Sequence, residues 1–545
     1  MSLLTTARRY GETIRHLKLI QMYHQARRHL LPVRLAKDGP VPSRVRPLPL
    51  VPGPVPAKTH LGQGRFRFLN REHDLGWPID WQAPGLPHLW QYNLHYFAYL
   101  QQPDLDFATG LALMRSWLQG CPAASRGVAW EPYPLSLRLV NWIKFLAAKG
   151  PPPAEILASL ALQALNLTKQ IEYLHLGNHL LANGKALWFA GRYLADESLA
   201  GLGRKIVLTE LPEQFLPDGG HFELSPMYHA LAVEDLLDLI NLCQAGGATM
   251  DRESLPSLGK TAGAALGWLE AMVDQGGQIP LLNDAAYGIA PEFKDLGAYA
   301  RRLGIQPAAA YPAADLGRGW QGRRLSGYWV LSHGPMRLLF DTALLGPDYL
   351  QAHAHCDMLS VLLDLEGEKI FTDTGVYEYE EGRRRAYARG TAAHNTVVLD
   401  GLEQAELWKS FRMGRRGHPQ GFRRQGNSLS CGHTGFAQWR RGLFHERTVT
   451  LLDGGFELRD RVQGPGRHRF QAFFHCAPKV NLKAGGDGGL VINDRLRLEA
   501  WGAAVEVTAS EYYPEFGLAA ERPCLVMQGE FSRQEEFGLR CTSFS

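Results

Sequence analysis

Apolar residues recur at three- and four-residue spacings from about residue 88 to 305, and from about 325 the period drops to two. The first pattern is that of amphipathic helices, the second that of strands with one buried face. Helices are predicted over Leu105–Leu118, Leu135–Ala148, Ala154–Leu176, Ala182–Leu194, Ala230–Gln244 and Leu258–Val273. Breaks fall at Gly150-Pro-Pro-Pro, Pro217-Asp-Gly-Gly and Gly246-Gly, where φ is fixed or freed. Many paired helices without a heptad repeat point to an α/α toroid or solenoid, though no strict sequence period establishes a repeat protein. Strands are predicted at Tyr328–Leu331, Arg337–Phe340, Leu359–Leu365, Lys369–Thr372, Asn395–Leu399, Arg447–Leu452, Gly455–Arg459 and Arg469–Phe474. Glycine-rich turns at Leu452-Asp-Gly-Gly and at residues 484–489 separate some of them, as in an antiparallel β-sandwich running to the C-terminus.

In front of the helices, residues 1 to about 32 read as a basic helix carrying Arg8, Arg9, Arg15, Lys18, Arg27 and Arg28, and 38–60 as a Pro- and Gly-rich linker. The predicted organisation is α+β and multidomain: 1–60 basic helix and linker, 61–320 helical domain, 321–545 sandwich, with the boundary near 310–325. A chain of 545 residues has material for two large domains or three smaller ones.

Composition narrows this little: 45% apolar, 21% charged and a net charge of +4 are ordinary for a globular protein and give no long-range steering. The seven cysteines are scattered, with no disulfide framework and no Cys-based zinc finger. No apolar run reaches the roughly 18 residues of a membrane span. The N-terminus lacks the apolar segment of a signal peptide, so a cytoplasmic or membrane-surface location is expected, with the periplasm as the alternative. The basic leader is suited to an anionic membrane surface or to packing on the body of the protein. Arginine pairs cluster after residue 380 without a nucleic-acid motif, so a cleft for a polyanion is expected rather than DNA or RNA. Oligomeric state is not encoded legibly.

Candidate chemistry concentrates in the sheet half, where His353, His355, Asp373 and His394 fall within a short stretch. On a strand, His353 and His355 would share a face. Two imidazoles and one carboxylate suit zinc, and a third imidazole is left for proton transfer. In the helical half, Asn178 and His179 sit side by side and can weaken the charge of a carboxylate. Pro217–His229 brings Glu223, Tyr228 and His229 together, and a phenol held near cations can act as a base. Tyr92, Asn93 and His95, with Trp90 and Trp130, line a sugar cleft or build the core.

The combination Tyr92-Asn-Leu-His-Tyr-Phe, Gly177-Asn-His, Asp218–His229, His353-Ala-His-Cys-Asp, Phe371-Thr-Asp-Thr-Gly-Val-Tyr and Ala393-His-Asn-Thr-Val resembles the heparinase II/III family of polysaccharide lyases over roughly residues 60–500. The resemblance implies an incomplete (α/α) toroid followed by an antiparallel β-sandwich, and β-elimination of an acidic, uronate-containing polysaccharide. By its motifs Asn178 and His179 would neutralise the uronate carboxylate, and Tyr228 would be base, acid or both. His353 would be the second proton-transfer group; His355, Asp373 and His394 would bind a divalent metal, zinc by preference. Tyr92, Asn93, His95, Glu223, Tyr387 and Arg389 are the expected substrate contacts. Two departures stand out. Ala182 occupies the place, one turn after the Asn-His pair, where some relatives carry an acid, and the basic leader has no counterpart in exported members. The latter makes the cell's own surface polysaccharide a reasonable substrate. The alternatives are a non-catalytic glycan-binding or assembly factor, and a glycoside hydrolase drawing on Glu131, Glu223 or Asp284.

Overall fold

The computed structural model describes residues 3–31, 33–40, 42, 45–123, 125, 127–308, 312–485 and 489–544. The middle of the turn expected at 484–489, part of the 310–325 boundary, residues 1, 2 and 32 of the leader and parts of the linker lie outside them.

The leader forms two helices, α1 (Leu3–Ile14) and α2 (Leu19–Leu30), rather than one. A small antiparallel sheet over residues 60–74 follows. Helices α3 (His88–Tyr96), α4 (Phe107–Gly120), α5 (Pro132–Lys149), α6 (Ala154–Lys169), α7 (Gly177–Tyr193), α8 (Glu197–Gln214), α9 (Pro226–Gly246), α10 (Thr249–Met272) and α11 (Phe293–Arg302) build the helical half. Their apolar faces meet in one core around Trp90, Trp117, Trp142 and Trp188. No helix among the described residues is long and apolar enough to cross a membrane.

The periodicity missed α8, whose Gly201, Gly203 and Pro212 are poor helix formers. Packing explains Gly203. A Cβ on Gly203 would lie 2.3 Å from the Trp188 amide nitrogen, and one on Gly191 would lie 2.1 Å from that of Ala200. Glycine is used where α7 and α8 touch backbone to backbone, and tertiary contact outweighs propensity.

From Ala314 the chain turns to strands. Six of them, Ala314–Gly317 through Glu368–Phe371, form an antiparallel meander. A ten-stranded sheet is built around the long antiparallel pair Gly455–His475 and Ala520–Ser543. Leu331, Leu338, Phe340 and Leu363 of the first sheet share a core with Val449, Phe456, Leu458 and Leu539 of the second. Leu224, Trp268 and Met272 of the helical half pack against Tyr328, Leu339 and Leu362 of the sheet half, so an apolar seam joins the halves. Each such buried side chain contributes about 1.5–3 kcal/mol. The loops flanking this seam carry the polar groups described next.

Candidate active site

Three local devices present these groups. The first is the start of α7, where Gly177 has φ 55° and a Cβ would fall 2.6 Å from Glu223 Oε1 and 2.5 Å from Leu350 Cδ2. The backbone turns there with no room for a side chain, and the Asn178 amide donates to Glu223 Oε1 at 3.2 Å. The second is the start of α9, where Ser225 caps the helix and its hydroxyl donates to the Asp284 carbonyl at 2.8 Å, placing Tyr228 on the first turn. The third is Asn283, held at φ 55°, which donates to Leu224 O at 3.0 Å and accepts the His355 amide at 2.9 Å. Leu224 is itself at φ 58°. Left-handed non-glycine residues cost about 1–3 kcal/mol each and persist where their surroundings hold them.

The residues before Val361 are not a strand, so the strand-face reading of His353 and His355 is corrected. Both imidazoles instead converge on one carboxylate: Asp284 accepts from His353 Nδ1 at 2.9 Å and from His355 Nε2 at 2.8 Å. Arg385, on α12 (Arg383–Arg389), closes on both oxygens of Asp284 and also donates to Ser410 O. Burial would raise the Asp284 carboxyl, but the Arg385 guanidinium and the bonds from both histidines hold it well below the usual carboxylate range. Asp284 is therefore ionised and can only accept. His353 Nδ1 carries the proton, and in the neutral ring Nε2 is the acceptor. That nitrogen faces Glu223 Oε2 at 3.5 Å. Glu223 Oε2 is buried and without a hydrogen-bond partner.

The Tyr228 ring lies 3.9 Å from that of His353, and its hydroxyl is 3.1 Å from the Tyr379 hydroxyl. Burial, with Tyr379 and the Asp284 charge beside it, pushes the Tyr228 phenol well above its ordinary value. The resting phenol therefore keeps its proton. On the α7 side, His179 Nδ1 pairs with Glu172 Oε1 at 2.8 Å, and Asn183 donates to Glu172 Oε2 at 3.0 Å. Burial alone would depress His179, but the Glu172 charge outweighs it and raises the imidazole above its ordinary 6.5. Glu172 lies on the loop before α7. An aromatic row leads to this corner: Tyr92, Tyr96, Tyr133 and His179 have successive ring separations of 6.1, 5.9 and 4.3 Å.

Behind His353, His394 Nδ1 bonds Asp373 Oδ2 at 2.9 Å, and the His355 and His394 rings are 5.4 Å apart. His355 Nδ1, His394 Nε2 and Asp357 Oδ2 are buried without a partner. Two imidazole nitrogens and a carboxylate oxygen left unsatisfied in one interior region have the donor chemistry of a divalent metal set. Among the described residues, however, no three such side chains are arranged as a metal-holding group. Asp373 is engaged by His394 and by the Thr374 amide at 2.7 Å.

Two family descriptions match this chain: "Heparinase II/III N-terminus" over residues 72–285 and "Heparinase II/III-like, C-terminal" over 320–534. The chain belongs to the heparinase II/III-like family. Among curated relatives, a heparin-sulfate lyase of Bacteroides stercoris is 25% identical over 322 residues, covering 52% of this chain and 46% of the relative. One of Pedobacter heparinus is 24% identical over 378 residues, covering 63% and 56%. The chain thus spans about half the length of the curated relatives it matches. A crystal structure of heparinase III shares the fold at TM-score 0.67 and 14% identity, covering 98% of this chain and 93% of that one. A chondroitinase AC lyase structure matches at TM-score 0.50 and 11% identity, covering 85% and 78%.

Within this heparinase II/III-like chain, Asn178, Glu223, Tyr228 and His353 lie in one cluster to which both halves contribute. His179 lies 4.3 Å ring to ring from Tyr133 beside it. Tyr92 borders the aromatic row and donates to Glu131. Two expected substrate contacts are corrected. His95 is 2% exposed and accepts from Trp117 Nε1 at 3.1 Å, so it belongs to the core with Trp90 and Trp130. Arg389 is 1% exposed and donates to the carbonyls of Ala354, Lys409 and Ser410, so it braces the His353 loop from inside. Tyr387, two residues after Arg385 on α12 and so on its opposite face, lies against Tyr513 at 6.3 Å. Asn93 donates to the Leu89 carbonyl of its own helix at 2.8 Å. Sequence reasoning missed Glu172 and Tyr379; Tyr133 lay in the Trp130-Glu-Pro-Tyr run read as cleft or core, and Arg385 in the arginine run read as part of a polyanion cleft. Nothing local marked Tyr379 or Glu172.

Proposed function

We propose that this chain is a polysaccharide lyase cleaving an acidic, uronate-containing polysaccharide by β-elimination. The observation that carries the reading is a proton donor, Tyr228, 3.9 Å ring to ring from an acceptor-bearing imidazole, His353, with the Asn178–Glu223 corner on the other side of that imidazole. The C5 proton of a uronate is weakly acidic until its carboxylate is neutralised. Asn178 and His179, whose imidazole the Glu172 charge raises above its ordinary value, neutralise it. His353 Nε2 takes the C5 proton, its Nδ1–H held by Asp284. The electron pair forms the C4–C5 double bond, the C4–O4 bond breaks, and the Tyr228 hydroxyl protonates the departing oxygen, each transfer requiring about 3 Å reach. His353 is regenerated by losing its proton to solvent, which returns one to Tyr228.

His355, Asp373 and His394 would hold a divalent ion, zinc by preference, with the unpartnered Asp357 oxygen beside them. Bound there, it would fix the loops that carry His353 and His394. We read the helical half as an incomplete (α/α) toroid and the two sheets as a sandwich, with the cleft between them. A hydrolase reading is weaker, because Asp284 is engaged by three side chains and Glu131 by Tyr92, leaving Glu223 without a paired acid. The names of the relatives make heparan sulfate the first polymer to try. Incubation with heparan sulfate, heparin, chondroitin and unsulfated polyuronates should produce the ultraviolet absorbance of an unsaturated uronate from at least one. No rise with any of them would refute the reading.

A further inference from the structure

The strands Ala405–Trp408 and Arg412–Arg416 pair as a hairpin whose turn is Lys409-Ser410-Phe411, with Lys409 at φ 53°. The turn is pinned through its carbonyls. Ser410 O accepts from Arg385 Nη2 and Arg389 Nη1, each at 2.9 Å, and Lys409 O accepts from Arg389 Nη1 at 3.1 Å. Just before the turn, Trp408 packs on Tyr10 of α1 at 5.0 Å. Ser410 is 8% exposed, whereas Phe411 beside it is 39% exposed. Turn positions ordinarily take Gly, Pro, Asn, Asp or Ser, which supply special φ values or local hydrogen bonds. An apolar ring left in water also forgoes the stabilisation that burial would bring. Neither turn chemistry nor core packing accounts for Phe411.

Its neighbours do. The Phe411 ring is 6.1 Å from that of His353, inclined at 78°, and 5.1 Å from that of Tyr379, inclined at 71°. The Tyr379 hydroxyl in turn meets that of Tyr228 at 3.1 Å. The buried Arg385 guanidinium lies 5.2 Å over the Phe411 ring. One face of the ring is thus backed by a cation that also holds Asp284, and two steeply inclined rings of the reacting cluster stand against it. What remains exposed is the outward face, set next to the imidazole that takes the proton and the pair of phenols that gives one.

We propose that Phe411 is a platform on which the polysaccharide lays the C–H face of a sugar ring adjoining the bond that is cleaved. The proposal rests on the lyase reading. A pyranose turns axial C–H bonds to its faces and its hydroxyl, carboxylate and sulfate groups to its rim. It therefore loses little hydration when one face is covered, and the electron-rich face of an aromatic ring suits its C–H bonds. Phe411 has no proton to exchange, so it binds and orients substrate and takes no part in the transfer.

The test uses the full chain and the variants Phe411→Ala, Phe411→Leu, Phe411→Tyr and Phe411→Trp. Leucine keeps an apolar side chain against His353 and Tyr379 but offers no flat face. On a polymer that wild type cleaves, the alanine and leucine variants should each raise KM about tenfold, the worth of one good aromatic contact. Their kcat should stay within about threefold of wild type, because a platform grips ground state and transition state alike. The tyrosine and tryptophan variants should return KM to within about threefold of wild type. The pH profile of kcat for the leucine variant should overlay that of wild type, which damage to the His353 setting would not allow. A leucine variant with the KM of wild type, or a loss confined to kcat, overturns the platform. If wild type releases no unsaturated product, the lyase reading fails separately. Calorimetric titration with oligosaccharides of heparan sulfate, heparin, chondroitin and an unsulfated polyuronate then decides the platform. A Kd about tenfold weaker in the leucine variant and recovered in the tryptophan variant supports it. Equal binding by wild type and the leucine variant, or no binding by wild type to any of the four, overturns it.

Discussion

Asp284 offers the sharpest test, because one carboxylate holds both the proposed base and a buried cation. It is fully buried and accepts from His353 Nδ1 at 2.9 Å, His355 Nε2 at 2.8 Å, Arg385 Nη2 at 2.9 Å and Arg385 Nη1. Asp284→Asn keeps the shape, removes the charge and turns an NH2 group toward donors. Arg385 is then left buried with no carboxylate beside it, its acceptors reduced to Ser410 O at 2.9 Å and one neutral amide oxygen. Breaking a buried ion pair from one side costs about 3–5 kcal/mol, a large share of the roughly 5–15 kcal/mol that holds a domain folded. The urea midpoint should fall accordingly. His353 also loses the acceptor that fixes its tautomer, so kcat should drop about 10²–10⁴-fold, the usual worth of a positioned acid or base. Adding Arg385→Met removes the orphaned charge. The double variant should regain stability, with a coupling of about 2–3 kcal/mol, but not activity. The assays are urea unfolding and the ultraviolet progress curve. An unchanged midpoint in the single variant would refute the buried hub. A double variant that recovers activity along with stability would show that Asp284 is not what prepares His353.

Tyr228→Phe removes one hydroxyl and its 3.1 Å bond to Tyr379. It should cost about 1 kcal/mol of stability and about 10²–10⁴ in kcat, and turnover within tenfold of wild type would take Tyr228 out of the mechanism. Glu172→Gln tests His179, whose folded-state pKa is raised above 6.5 by Glu172. Its stabilising charge is fully present below 6.5 and is lost as pH rises through the higher folded value. The variant should therefore move the alkaline limb of kcat/KM to lower pH; a profile that overlays wild type would contradict the pairing. For the metal, wild-type protein is expected to carry about one zinc per chain and His355→Ala much less by elemental analysis. Full occupancy in the variant would reject the ligand assignment.

The sequence by itself determined the two-part architecture and the motif positions. The change of period from helical to alternating is a local property, and burial of one face follows from it whatever the partner. Asn178 and Tyr228 were legible as candidates from their motifs, but the helix starts at Gly177 and Pro226 came earlier than the expected Ala182 and Ala230. Helix α8 was hidden because Gly203 makes sense only against Gly184 and Trp188 of α7. The roles of polar side chains were decided by the tertiary structure. His95 and Arg389 carry active-site chemistry in their formulas, yet burial and carbonyl acceptors make them braces. Asp284, one acid among several in the sequence, became the centre when residues 69 and 101 positions away closed on it. Long-range pairing has no signature in local pattern, because which charges share a low-dielectric pocket depends on how the two halves meet, and only the folded chain sets that.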